Sequence, residues 1–293
     1  MKLLSFIVNG CEKYGLAVQE GIIDLQLYFP QHADLRSFLS CINQLDNRIF
    51  IGKKPDYHFD DVTFLPVITR PNKIICAGMN YSGKRSEFNE VDPDPTLFIR
   101  FADSQTGHLC GLRKPSCSNE FDYEGELALI IGRHGCHIPR EEAFKYIAGY
   151  SCYMDGSVRD WQHTWFTAGK NWPATGGFGP WLVTQDEIPD PQDLTIITQL
   201  NGREVQRDNT RSMIHPIDEL IAYISTFSAL SPGDVILTGS PGGVGKKRTP
   251  PLFMHPGDIV EVEISKIGKL VNPVISDEHD RYGSLPAGFS CAS

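Results

Sequence analysis

Punctuation is what most limits the fold of this chain. Twenty-seven glycines and 20 prolines break it into apolar runs too short for long helices. Leu127–Ile131, Ala148–Met154, Trp181–Thr184, Thr195–Leu200, Val235–Thr238 and Ile259–Ile264 are each of strand length and bounded by turn residues. Helical spacing is scarce, clearest in Arg140–Tyr146 and Ile217–Ser225. Many strands with few helices, and no regular βαβ alternation, predict a mainly β (α+β) body with peripheral helices.

The N-terminal part reads differently. Leu3–Val8, Tyr14–Val18 and Gly21–Leu25 are strand-like, and the polar break Asn9–Lys13 predicts a hairpin. Asp34–Leu45 has helical spacing through Leu35, Phe38, Leu39 and Ile42. The polar stretch 52–61 carries Pro55 and reads as a linker. We therefore expect a small N-terminal α/β module over residues 1–65 and a larger domain over 70–293, ending in a loosely held tail from Arg281.

Composition excludes several classes. The 293 residues include 36 Asp and Glu against 27 Lys and Arg, a formal charge of −9. Nucleic-acid binding needs a concentrated basic surface, so no such partner is expected. No apolar run approaches the roughly 18 residues of a membrane span, and Met1–Gly10 lacks a small-residue cleavage site. Eight cysteines are scattered without a C-x-x-C pair, as in reduced thiols. A soluble, cytoplasmic protein is the expectation.

The chemistry concentrates in Phe121-Asp-Tyr-Glu124-Gly-Glu126-Leu127, which leads into an apolar run. On a strand, residues two apart face one side. Glu124 and Glu126 would then converge, with Gly125 keeping the opposite face slim. Paired carboxylates at a buried strand are costly without a positive partner, and a hard divalent cation with all-oxygen ligation answers that cost. An exposed strand edge is the alternative of equal weight. Asp155, ending the run Tyr150–Met154, offers a third oxygen and shifts the balance towards a metal. Arg159 and Gln162 follow at a spacing that shares one face of a turn, unless Arg159 merely pairs with Asp160 or caps a helix. Lys170 is a further cation in a Gly-flanked loop. The loop Gly239-Ser240-Pro-Gly-Gly-Val-Gly245 exposes backbone N–H groups that can hold an anion. It is not a phosphate-binding P-loop, because Ser240 stands where glycine is required. His134, Cys136 and His137 read as a turn before a metal site.

In order along the chain, Gly78-Met-Asn80-Tyr81…Glu87, Asp122-Tyr-Glu124-Gly-Glu126, Asp155…Arg159-Asp-Trp-Gln162, Gly169-Lys170 and Pro232-Gly-Asp234…Gly239-Ser240…Gly245 resemble the fumarylacetoacetate hydrolase family over about residues 70–275. The resemblance implies a β-roll catalytic body, usually a homodimer. It also implies Mg²⁺ or Mn²⁺ on Glu124, Glu126 and Asp155, with Ca²⁺ an occasional occupant in crystals. The implied substrate is a small 2-oxo acid or acylpyruvate-type diketo acid. The implied reaction is C–C hydrolysis through an enolate that the cation stabilises. By motif position Lys84, Glu87, Gln162 and Lys170 take catalytic roles, and Tyr81, Arg159, Gly239 and Ser240 bind substrate.

One departure matters. Family hydrolases carry N-Y-x-x-H-x-x-E, and Lys84 stands at the histidine position. An ordinary lysine is protonated at neutral pH and is no base for water. Decarboxylation, tautomerisation or isomerisation of a 2-oxo acid therefore becomes the alternative to hydrolysis. A vestigial, non-enzymatic 2-oxo acid binder is the second alternative.

Overall fold

The runs delimited by glycine and proline become strands in the computed structural model, which describes residues 1–44, 47–89, 91 and 93–277. The expected tail from Arg281 lies outside the described residues. In chain order the principal strands are β1 (Lys2–Val8), β2 (Cys11–Val18), β3 (Gly21–Asp24), β4 (Ile74–Gly78) and β5 (Thr96–Arg100). Then come β6 (Gly125–Ile131), β7 (Ile147–Asp155), β8 (Gly176–Thr184), β9 (Thr195–Leu200) and β10 (Arg203–Asn209). The last are β11 (Val235–Leu237), β12 (Ile259–Ile264) and β13 (Gly268–Ser276).

They form two layers. The main sheet runs β3-β2-β1-β8-β7-β6-β11-β4-β5, and the second runs β10-β9-β12-β13 and on to the short strand Leu112–Lys114. β12 and β13 pack on β7 and β8, and β9 packs on β6. Period-two alternation allots the side chains. Leu127, Leu129 and Ile131 of β6, with Cys152 and Met154 of β7, join Val262 and Leu270 in the core between the sheets. Ala128 and Ile130 face the other way and pack with Tyr153, Phe178, Leu3 and Phe38. β6 and β7 are buried along their whole length, which explains why both read as nearly continuous apolar runs.

Among the described residues four helices of α type lie outside the sheets: α1 (Leu35–Phe38), α2 (Ser82–Phe88), α3 (Thr167–Lys170) and α4 (Ile217–Phe227). The predicted helix 34–45 is α only for its first turn, which Asp34 and Ser37 cap reciprocally; it continues as a 3₁₀ helix over Leu39–Gln44, and Leu45 lies outside the described residues. Arg140–Tyr146 is likewise 3₁₀, because seven residues between Pro139 and the start of β7 leave little length for α-helical propagation. α2 was not expected from the sequence. The N-terminal strands extend the main sheet, with Leu3 paired to Leu182, so the boundary we propose near residues 66–69 divides the chain without dividing the sheet.

Gly125 shows how tightly the layers meet. A Cβ there would stand 2.2 Å from Thr198 Oγ1 and 3.2 Å from Val262 Cγ1. Gly125→Ala should lower unfolding stability by about 1–3 kcal/mol, read from the midpoint of chemical denaturation. Adding Thr198→Ala removes the nearest clashing atom, a hydroxyl without a hydrogen-bond partner. The double variant should therefore recover part of the loss; no recovery would place the strain elsewhere.

Candidate active site and metal seat

The alternation that turns Leu127 towards the second sheet turns Glu126 to the opposite face, together with Ala128 and Ile130. Asp155 shares that face with Tyr153 of β7, which pairs with Glu126 across the ladder. Glu124 closes the group, its carbonyl accepting from the Asp155 N–H at 2.8 Å. Glu124, Glu126 and Asp155 are all buried, and each offers an oxygen within 4.8 Å of the others. The exposed-edge alternative for the E-x-E pair is thereby set aside.

Four cations enter from separate elements. Lys170, at the end of α3, contacts Glu124 Oε2 at 3.2 Å and Asp155 Oδ2. Arg159 donates through Nε to Asp122 Oδ2 at 2.9 Å, through Nη1 to Gln162 Oε1 at 2.9 Å and through Nη2 to Glu124 Oε1. Asp160 accepts instead from Ser118 Oγ at 2.6 Å, so Arg159 is not its partner. Lys84 on α2 lies 3.1 Å from Glu124 Oε1 and 3.1 Å from Ser240 Oγ. Arg100 Nη1 donates to Asp155 Oδ1 at 2.5 Å.

The glycine-rich loop does hold anions through its N–H groups, but the anions are the chain's own. Gly239 N–H donates to Glu126 Oε2 at 2.9 Å, Gly243 N–H to Glu87 Oε1 at 2.5 Å, and Gly245 N–H to Asp122 Oδ1 at 2.8 Å. Gly239 has φ +96°, a backbone region open chiefly to glycine.

Lys84, Glu124, Glu126, Asp155, Arg159, Gln162, Lys170, Gly239 and Ser240 thus form one connected cluster. Glu87 sits on the loop side of α2. Tyr81 lies fully buried in the hydrophobic core. Burial, with Glu126 and Asp208 nearby, pushes its phenol pKa well up. The sequence reading missed Arg100, whose strand went unread, and it assigned no role to Asp122. Three consecutive apolar residues, Leu97–Ile99, running into a charged one were the available signal.

Electrostatics divide the carboxylates. Burial works to raise Glu124, but Lys170, Lys84 and Arg159 hold its pKa well below the usual range. Burial, reinforced by Asp155 and Glu124, pushes Glu126 well above it. Among the described residues no Lys or Arg contacts Glu126; its hydrogen bond comes from Gly239 N–H. A hard, all-oxygen donor set with one carboxylate lacking a cation fits a divalent ion such as Mg²⁺ or Mn²⁺.

The fold and site define a class. Residues 73–275 match the Fumarylacetoacetate (FAA) hydrolase C-terminal family, and the chain belongs to that family. It is 35% identical over 292 residues to the mitochondrial oxaloacetate tautomerase Fahd2a of Rattus norvegicus, covering 94% of this chain and 92% of that one. Against the human mitochondrial oxaloacetate tautomerase FAHD2A it is 42% identical over 234 residues, covering 78% and 74%. The solved fumarylacetoacetate hydrolase of Exiguobacterium antarcticum superposes with a TM-score of 0.84 at 30% identity, covering 94% and 99%.

Glu126→Gln should cut Mn²⁺ affinity by at least about 100-fold in calorimetric titration, since it removes a ligand charge where no cation already compensates. Unchanged affinity would overturn the ligand assignment.

Proposed function

We propose that this chain is a divalent-metal-dependent tautomerase acting on a small 2-oxo dicarboxylate of the oxaloacetate type. The observation that carries the reading is the place of Lys84. Its ammonium group is buried among Glu124, Ser240 and the other cations of the cluster, at the position where a family hydrolase has the histidine that activates water. Keto–enol interconversion needs no water: one proton leaves or joins C3, another joins or leaves the 2-oxo oxygen, and no C–C bond breaks. The relatives named oxaloacetate tautomerases support the same choice over C–C hydrolysis.

Charge favours a dicarboxylate. Lys84, Arg100, Arg159 and Lys170 pair with Asp122, Glu124 and Asp155, and ionising Glu126 for a metal would bring the carboxylates to four against these four cations. A divalent ion on Glu124, Glu126 and Asp155 would leave the cluster doubly positive, matched to a dianion. That ion would supply Lewis acidity to the 2-oxo group. Arg159 and Lys170 hold the substrate's carboxylates, Ser240 orients Lys84, and Gln162 fixes the Arg159 fork. Lys84 Nζ carries the proton at C3. Burial pushes its pKa down from 10.5, Arg159 and Lys170 add to that, and Glu124 opposes it.

The test follows enol oxaloacetate by its ultraviolet absorbance with Mn²⁺ present, and analyses products by NMR. Enol should disappear without release of pyruvate. Faster release of pyruvate and a free acid from acylpyruvates would restore the hydrolase reading, and any turnover removes the vestigial one. In the enol-to-keto direction Lys84 gives its proton to C3, so kcat/KM should fall as pH rises through a midpoint below 10.5. Lys84→Arg keeps the charge but cannot give up the proton, and should lose about 100-fold or more in kcat; retained kcat would make Lys84 a clamp.

A further inference from the structure

We propose that Arg100 is a positioning residue for the metal seat. By taking Oδ1 of Asp155, it restricts the oxygen this carboxylate can offer a cation and biases the seat towards Mn²⁺ or Mg²⁺ and against Ca²⁺. The inference rests on Glu124, Glu126 and Asp155 being ligands.

Arg100 ends β5 with its side chain fully buried. Every N–H of its guanidinium has an acceptor. Nε donates to Ser104 Oγ at 3.2 Å; Nη1 donates to Asp155 Oδ1 at 2.5 Å and Gly156 O at 3.1 Å; Nη2 donates to Thr175 Oγ1 at 2.9 Å and Ser104 O at 3.4 Å. Contacts on every edge fix the guanidinium in place, and its Nη1 therefore holds Asp155 Oδ1 from one fixed direction. Charge neutralisation does not require this, because Lys170 already contacts the other oxygen, Oδ2. What Arg100 adds is direction.

The same restriction recurs at Glu126, where Gly239 N–H holds Oε2. Glu126 thus has one oxygen committed to a protein donor, while Asp155 and Glu124 have donors on both oxygens, Arg100 and Lys170 on Asp155 and Arg159, Lys84, Lys170 and Ser240 on Glu124. Ca²⁺ fills six to eight positions and often takes both oxygens of a carboxylate, whereas the smaller Mg²⁺ keeps to six and tolerates single-oxygen contacts with water completing the shell. Mn²⁺ shares the six-oxygen preference. A carboxylate pinned by an arginine fork is poorly suited to the former and well suited to the latter. Residues that orient metal ligands in this way typically contribute about 10–100-fold to affinity.

The experiment is calorimetric titration of the full chain with Mn²⁺ and separately with Ca²⁺, for the wild type, Arg100→Gln, Arg100→Lys and Thr175→Val. In Arg100→Gln, Mn²⁺ affinity should fall about 10–100-fold while Ca²⁺ affinity falls less, narrowing the Mn²⁺/Ca²⁺ ratio about tenfold. Arg100→Lys should restore only part of the ratio, since an ammonium can reach Oδ1 but lacks the planar group that the contacts to Ser104, Gly156 and Thr175 hold in place. Thr175→Val keeps the charge and removes one acceptor of the fork. It should narrow the ratio in the same direction by a smaller factor, and it carries the test if the Arg100 variants do not fold. A ratio unchanged in every folded variant would overturn the role of Arg100 alone. A wild-type chain that binds neither ion would overturn the ligand reading and this inference with it.

Discussion

Four carboxylates buried within reach of one another set the terms for the rest of this molecule. An isolated carboxylate in a protein interior is several kcal/mol unfavourable even after relaxation, and placing Asp122, Glu124, Glu126 and Asp155 together adds mutual repulsion. Each therefore needs a donor delivered from elsewhere in the chain. Arg100 comes from an edge strand, Lys84 and Lys170 from short helices, and Arg159 from a 3₁₀ turn. The two sheets supply the stability that the charges cannot, since β6 and β7 are buried on both faces by apolar neighbours.

The glycine-rich loop solves the part of the problem that side chains leave. Asp122 accepts N–H groups from Gly245 and Lys246 as well as the Arg159 guanidinium, so the oxygens of this buried carboxylate have donors. The loop must pass very close to achieve this. A Cβ on Gly245 would lie 1.8 Å from the Leu252 carbonyl and 2.6 Å from Asp122 Oδ1, so a side chain there would displace backbone. The requirement for glycine at that position comes first from the Leu252 backbone and then from the approach of the loop to the Asp122 carboxylate.

What the sequence revealed follows range. Glu124 and Glu126 were legible because two residues is the period of a strand, and Arg159 with Gln162 because three residues is nearly one helical turn. Asp155 was legible because it ends an apolar run. Arg100 was not, since its partner lies 55 residues away and no local period links them. Glu87 shows the same limit: its motif position implied catalysis, while its carboxylate meets Gly243 at a separation of 156 residues. Nor could hydrophobic pattern show that β1 would pair with β8, because that register joins residues as far apart in sequence as Lys2 and Val183. Local periodicity reports faces, and long-range pairing decides which faces meet.

Lys84 joins these two scales. As a sequence change it substitutes one basic side chain for another. Within the cluster it supplies the fourth positive charge, in contact with Glu124 and Ser240. A neutral imidazole there would leave the carboxylates in excess by one before any ion binds. The lysine therefore alters both the group facing the substrate and the charge balance of the seat. Under the proposed reading both effects act in one direction: they weaken the activation of water and strengthen the hold on an anionic 2-oxo acid, whose tautomerisation requires that charge be stabilised and protons moved at C3 and at the 2-oxo oxygen. A site built this way suits proton transfer within its substrate better than the addition of water to it.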